Sequence, residues 1–238
     1  MNYISCRPNW SDVDGEPVAL QRRQGGNPQS SIMGYRTSAF TPFAMVHGYN
    51  CAELNCCDAY RANSVIAKEC DSRFPSEMDG ILWPGLGDNP VESLEFHRAQ
   101  RQADLSSAKL AEYLNLFSPG VVMAHSLGAR VALEAACKHG AKIKLLVLIG
   151  AAVADDCFNV EYREANRNID LVLNFHSKRD NVLGQAFMLD QFSRALGHDG
   201  PRATAPPWVK DWDVTNSVGS HSQYRYVRDI WWQIGQHL

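Results

Sequence analysis

The 238 residues contain no run of the roughly 20 consecutive apolar residues that a membrane span needs. The opening Met-Asn-Tyr-Ile-Ser-Cys-Arg-Pro also lacks the apolar core of a secretory signal, so a cytoplasmic location is expected. Positive charge is not in excess: 23 Lys and Arg stand against 26 Asp and Glu, a formal net charge of −3. That balance gives no electrostatic case for nucleic acid or acidic lipid as a partner. The chain has no Gly-x-x-x-x-Gly-Lys-Ser/Thr loop, no Gly-x-Gly-x-x-Gly after a strand and no His-Glu-x-x-His. Gly85-Leu86-Gly87 is only a fragment of the second pattern, and no cofactor or metal is expected. Internal repeats and low-complexity tracts are missing too.

Cysteine is present in an odd number, seven, which fits a reducing compartment better than a disulfide framework. Cys51, Cys56, Cys57 and Cys70 lie close together in sequence, but along or beside an expected helix and with no histidine among them. Small buried hydrophobes explain them better than zinc ligands, which come as paired short units.

What is present is an ordinary globular composition, 45% apolar and 21% charged, on a chain long enough for one sizeable core. One domain over residues 1–238 is expected. Short apolar runs predict strands at Tyr3–Cys6, Ser31–Tyr35, Phe43–Val46, Gly80–Trp83, Val121–Ala124, Ile143–Ile149, Leu171–Phe175 and Val209–Val214. Helical patterns fall at Ala52–Lys68, Glu95–Leu114, Leu127–His139, Leu183–Leu196 and Ser222–Gln236. This alternation predicts an α/β architecture with a mostly parallel eight-stranded sheet flanked by helices. The nearly unbroken apolar run Ile143–Ile149 suits a central strand buried on both faces. The polar segment Ser11–Ser30 reads as a long surface connection.

The most informative segment is Val121–Arg130, Val-Val-Met-Ala-His-Ser-Leu-Gly-Ala-Arg. An apolar strand runs into Ser126, with small residues two positions away on each side, Ala124 and Gly128, and a helix-competent run follows. That is the pattern of a nucleophile elbow, a strained strand-to-helix turn that exposes a serine hydroxyl and tolerates only small flanks. Small-x-Ser-x-Gly alone would arise by chance in roughly one chain of this size in five, so the strand and helix around it decide. The bland alternative is a serine that merely caps a helix.

In open α/β sheets the working residues gather after the carboxyl ends of strands. His47-Gly48-Tyr49-Asn50 follows one predicted strand, His125-Ser126 another, His176-Ser177-Lys178-Arg179-Asp180 a third, and Ser217–His221 the last. Serine, aspartate and histidine thus occur in that chain order. Asp180-Asn181 is also good turn chemistry, and Asp155 and Asp156 compete for the acid position. His198 and His237 compete with His221, which alone lies between a late strand and the final helix.

From about Phe43 onward these motifs resemble those of the α/β-hydrolase superfamily of serine esterases and lipases. His-Gly-Tyr-Asn with Ala-His-Ser-Leu-Gly is similar to a little-characterised bacterial esterase-like branch. Ala124 departs from the commoner glycine. The resemblance implies Ser126 as nucleophile, His221 as base and Asp180 as the acid orienting it. It gives the oxyanion hole to the backbone of Leu127 and Tyr49, has His47 brace the oxyanion loop, and makes His125 the variable elbow residue.

Specificity in the superfamily often comes from a cap inserted after the strand that here ends near Ile149. Only the segment from Ala151 to Asp170 is available, so a cap is small or absent. Asn50 and Val182 are candidate substrate-lining residues, and Pro84–Val91 and Gly200–Trp208 candidate pocket walls. Trp231 and Trp232 are expected in the core. The implied activity is hydrolysis of carboxylic esters with short to medium acyl chains, on a small-molecule substrate. An acyltransferase, thioesterase, amidase or cofactor-free haloperoxidase would use the same residues, and a non-catalytic binding module would use the same scaffold.

Overall fold

A computed structural model describes residues 2–8, 16–24, 27–29, 43–49, 51, 53–75, 78–85, 92–116 and 120–238. Its strands are β1 (Asn2–Ser5), β2 (Gln21–Gln24), β3 (Asn27–Gln29), β4 (Phe43–Val46), β5 (Asp79–Leu82), β6 (Gly120–His125), β7 (Ile143–Ile149), β8 (Ile169–His176) and β9 (Val209–Asp213). They form one sheet in the order β3-β2-β1-β5-β4-β6-β7-β8-β9. The contacts of β1 with β2 and of β2 with β3 are antiparallel, and every other pairing is parallel. The expected mostly parallel sheet is therefore present.

Two strands were not foreseen. β2 and β3 lie in the polar segment read as a surface connection, because an antiparallel edge ribbon needs backbone pairing more than an apolar face. The strand expected at Ser31–Tyr35 lies outside the described residues.

Alternation along β6 divides the core. Val122 and Ala124 face one buried cluster, while Val121 and Met123 face the other. The first cluster is covered by α2 (Glu92–Leu116) and α3 (Gly128–His139), which pack on each other. The second is covered by α1 (Glu53–Cys70) and the C-terminal helix, Arg228–Gly235, through Cys56, Tyr60, Ile230, Trp231 and Ile234. Central β7 is apolar from Leu145 to Ile149 because both of its faces are covered. Lys144, the single break in its run, is exposed.

Two expected helices differ. The stretch Leu183–Leu196 divides into a π-helical turn at Val182–Phe187, then α4 (Met188–Gln191) and α5 (Leu196–Asp199). Phe192, at φ 49°, ends α4 in the left-handed region. The last helix, α6, begins at Arg228 rather than Ser222, since Tyr224–Tyr226 form a 3₁₀ turn and Val227 is extended. Trp231 is fully buried as expected, whereas Trp232 is half exposed on the outer face of α6.

Between β7 and β8 the chain forms turns and one short 3₁₀ segment, Ala165–Arg167, with no helical cap domain. Among the described residues no helix is long and apolar enough to cross a membrane.

Candidate active site

Ser126 sits between β6 and α3 with φ 54°, a left-handed conformation that costs a non-glycine residue about 1 to 3 kcal/mol. Three backbone hydrogen bonds hold it there. Its N–H donates to Ile149 O at 3.2 Å, and its carbonyl accepts from Ala129 N at 3.0 Å and Ala152 N at 3.1 Å. The strain is thus sustained by the neighbouring strand and by the first turn of α3.

The small flanks expected around an elbow have direct geometric causes. A Cβ on Gly128 would lie 2.5 Å from His47 O and 2.8 Å from Val46 O, backbone atoms that cannot swing aside. Across the turn, a Cβ on Gly48 would lie 2.6 Å from Ser126 Cβ. The loop after β4 and the elbow after β6 therefore touch backbone to backbone. Leu127 lies at the N-terminal edge of α3, where helical amides lack an intrahelical acceptor. Tyr49, next to Gly48, packs edge-on against Phe96 at 6.3 Å between ring centres.

His47 is the brace of this loop. Its Nδ1–H donates to Gly48 O at 2.7 Å, while Nε2 accepts from Trp83 N–H and from Arg7 Nη2, each at 3.2 Å. The ring stacks on Trp83 with centroids 5.3 Å apart, and Trp83 Nε1 donates to His47 O at 2.9 Å. Burial, followed by the Arg7 charge, holds its pKa well below the usual histidine value, so the ring is neutral and its tautomer is fixed. Arg7 itself is fully buried at the end of β1 and also donates to Trp83 O at 3.1 Å and Cys51 O at 2.7 Å. The sequence reading did not single out Arg7.

On the other side, Asp180 is completely buried and accepts from His221 Nδ1 through Oδ2 at 2.7 Å. Oδ2 also accepts from Tyr224 Oη at 3.2 Å, and Oδ1 from Leu183 N at 3.2 Å. Tyr224 Oη lies 2.9 Å from Gly197 O, so this tyrosine ties the acid turn to α5. The contact with Asp180 leaves Nε2 of His221 as the acceptor nitrogen. His125 Nε2 donates to His221 O at 2.9 Å, and the two rings lie 4.7 Å apart. The residue preceding the serine is therefore a support for the histidine loop. Burial first, then the charge of His221, lowers the His125 pKa to about 3.

The competing candidates have other partners. Asp155 and Asp156 are bound by Arg202 at 2.8 and 3.1 Å. His198 lies 3.2 Å from Asp199, and His237 packs against Trp212. Val182 is half exposed at the start of the π-helical turn after Asp180, and Asn50 lies outside the described residues.

A cleft of about 560 Å³ opens beside the elbow. Its walls are Gly48 and Tyr49, α1, and the turn after His221. Gly200–Trp208 does not line it, since Gly200 packs against His176 and Asp211, and residues 86–91 of the other expected wall lie outside the description.

Cys56 and Cys57 are buried in the apolar core as expected, but one pairing departs from expectation. Cys51 and Cys56 are joined as a disulfide with a Cα–Cα span of 5.8 Å, closing a short loop between the His47 brace and α1. Their sulfurs lie within 4.8 Å of a ring nitrogen of His47. Both ring nitrogens already have hydrogen-bond partners and the Arg7 guanidinium stands beside them, an arrangement that opposes a bound cation.

No family model and no curated protein matches the chain. Solved structures do. Esterase PE8 is 15% identical, and the overlay covers 84% of this chain and 94% of that one with a TM-score of 0.51. A protein assigned to the alpha/beta hydrolase superfamily from Xanthomonas campestris is 12% identical over 84% of this chain and 100% of that one, TM-score 0.46. The Pyrococcus furiosus esterase Pf2001 is 12% identical over 84% and 83%, TM-score 0.45. At such identities a likeness speaks for the fold alone. With a mostly parallel sheet, helices on both faces and a strained serine between β6 and α3, this chain has the α/β-hydrolase fold.

Proposed function

We propose that the protein is a serine hydrolase acting on carboxylic esters of short to medium acyl chain. The observation that carries this reading is the 2.7 Å bond from His221 Nδ1 to the buried Asp180, in a fold whose serine is held at φ 54°. A serine hydroxyl is a poor nucleophile until a base takes its proton.

His221 Nε2 takes the Ser126 proton as Oγ attacks the ester carbonyl carbon. Asp180 keeps Nδ1 protonated and stabilises the imidazolium that forms. The oxyanion accepts from the N–H groups of Leu127 and Tyr49, and losing one such donor costs about 2.7 to 4 kcal/mol. The C–O bond then breaks, and the alcohol leaves with the proton carried by His221. Water attacks the acyl-serine by the same route in reverse, yielding acid and free enzyme. Among the described residues no helical cap is inserted between β7 and β8, which supports the reading of short or medium acyl groups.

Labelling with a fluorophosphonate probe followed by peptide mapping tests the reading without knowledge of the natural substrate. The expected result is modification confined to Ser126, abolished in Ser126→Ala. A folded protein that takes no label at Ser126 overturns it.

A further inference from the structure

Arg225 stands four residues after His221, on the 3₁₀ turn Tyr224–Tyr226, and lines the cleft together with Gly48, Tyr49, His125, Ser222 and Tyr226. Its charge is unanswered. Among the described residues it has no carboxylate partner, and its Nε is shielded from solvent without a hydrogen-bond acceptor. Arg61 and Arg130, by contrast, have carboxylate partners, Asp58 at 3.1 Å and Asp104 at 2.6 Å, and the buried Arg7 is occupied by the carbonyls of Trp83 and Cys51. Asp58 is the acid that lines this cleft, and its bond to Arg61 leaves Arg225 without it.

The guanidinium is also oriented. It lies over the Tyr226 ring, 5.1 Å from the centroid, which limits the directions in which its planar fork can point. A half-buried, pre-oriented guanidinium with no carboxylate partner among the described residues suits a carboxylate, which can accept from both of its Nη groups at once while the Nε stays shielded. Asn55 adds a neutral polar group to the same cleft. His125 adds no competing positive charge, because burial keeps it neutral.

The position of the cleft selects the half of the substrate. Ser126 and His221 do not themselves line the cleft, but their neighbours do: Gly48, where an added Cβ would meet Ser126 Cβ at 2.6 Å, and Ser222, next to the base in sequence. The base hands its proton to the departing oxygen, so the departing alcohol lies on the His221 side. We infer that Arg225 forms a carboxylate-binding subsite for the alcohol half of the ester, so that the natural leaving group carries an anionic group. This rests on the hydrolase reading above and adds the substrate class to it.

The test compares two acetyl esters, para-acetoxybenzoate and its methyl ester, which differ in the anion. The quantity read is the ratio of their kcat/KM values, in the parent and in Arg225→Gln. Comparing ratios removes the difference in intrinsic leaving-group reactivity. The ratio should fall about tenfold in Arg225→Gln, the effect of one charge-assisted pair, and chiefly through KM for the anionic ester. Arg225→Lys should recover part of it, and added salt should erode it in the parent. A ratio equal in parent and Arg225→Gln overturns the subsite while leaving the hydrolase reading intact.

A binding measurement separates the two ideas. Calorimetric titration of para-hydroxybenzoate into Ser126→Ala should give an affinity about tenfold weaker when Arg225→Gln is added. Equal affinities, or no binding to either protein, overturn the subsite. Arg225-dependent binding by a protein whose Ser126 takes no fluorophosphonate would retain the subsite and remove the hydrolase.

Discussion

Gly48→Ala probes the contact on which the proposed oxyanion hole depends. The added methyl would start 2.6 Å from Ser126 Cβ, and it reaches ordinary contact only near 3.4 Å. One of the two loops must therefore retreat by about 0.8 Å. The elbow is the less yielding side, because three backbone hydrogen bonds and the strand behind it fix Ser126. The displacement falls on the Gly48–Tyr49 loop and carries the Tyr49 N–H away from the oxyanion. Misplacement on the order of 1 Å costs about a hundredfold in rate, and complete loss of a donor about a hundred- to a thousandfold. The variant should therefore lose about a hundred- to a thousandfold in kcat on a para-nitrophenyl ester, with KM close to the parent value. Circular dichroism and a urea melt establish that it is folded, and stopped-flow labelling by a fluorophosphonate should slow in parallel. A folded Gly48→Ala that turns over and labels at the parent rate would refute the placement of the oxyanion donor in this loop.

Asp180→Asn should lower kcat about ten-thousandfold by presenting the wrong His221 tautomer, whereas Asp155→Asn, at the Arg202 pair, should alter activity far less; the reverse pattern in initial rates would reassign the acid. Arg7→Met removes hydrogen bonds to the carbonyls of Trp83 and Cys51, partly offset by release of a desolvated charge, and should destabilise by about 2 kcal/mol in urea. An unchanged urea midpoint would contradict its bracing role. The His125 pKa is lowered to about 3, so the folded state binds fewer protons than the unfolded state below the ordinary histidine value. Its contribution to stability is complete above about pH 6.5 and is lost as pH falls toward 3, by up to about 1.4 kcal/mol per pH unit. Urea midpoints measured at pH 7 and pH 5 should therefore drop less in His125→Gln than in the parent, and equal drops would remove this linkage.

The fold was legible where one local pattern left a single solution. An apolar run flanked by turn residues gave β4, β6 and β7 their boundaries within a residue, because buried parallel strands are apolar on both faces. The elbow was legible for a similar reason: the demand for small residues comes from contacts of Gly128 with the adjoining strand end and of Gly48 with the serine itself. Where the chain makes backbone-led structure, the pattern failed. β2 and β3 are polar strands at one end of the sheet, and the break at Phe192 is a left-handed residue that no propensity rule would place there.

The supports of the site lie beyond local patterns because they join residues distant in sequence. Arg7 reaches His47 across 40 positions and Trp83 across 76, since the order β1-β5-β4 sets the carboxyl ends of the three strands side by side. An arginine after a four-residue strand carries no local mark of that neighbourhood. The same holds for Tyr224, which is 44 positions from Asp180, and for His125, which is 96 from His221. Ser126, His221 and Asp180 stand out as candidates from motifs because each comes after its own strand. The residues that hold them in place answer to the three-dimensional adjacency of those strands, and they bind backbone carbonyls as often as side chains. A carbonyl leaves no trace in composition or spacing, so a buried donor such as Arg7 is visible only once the sheet order is known.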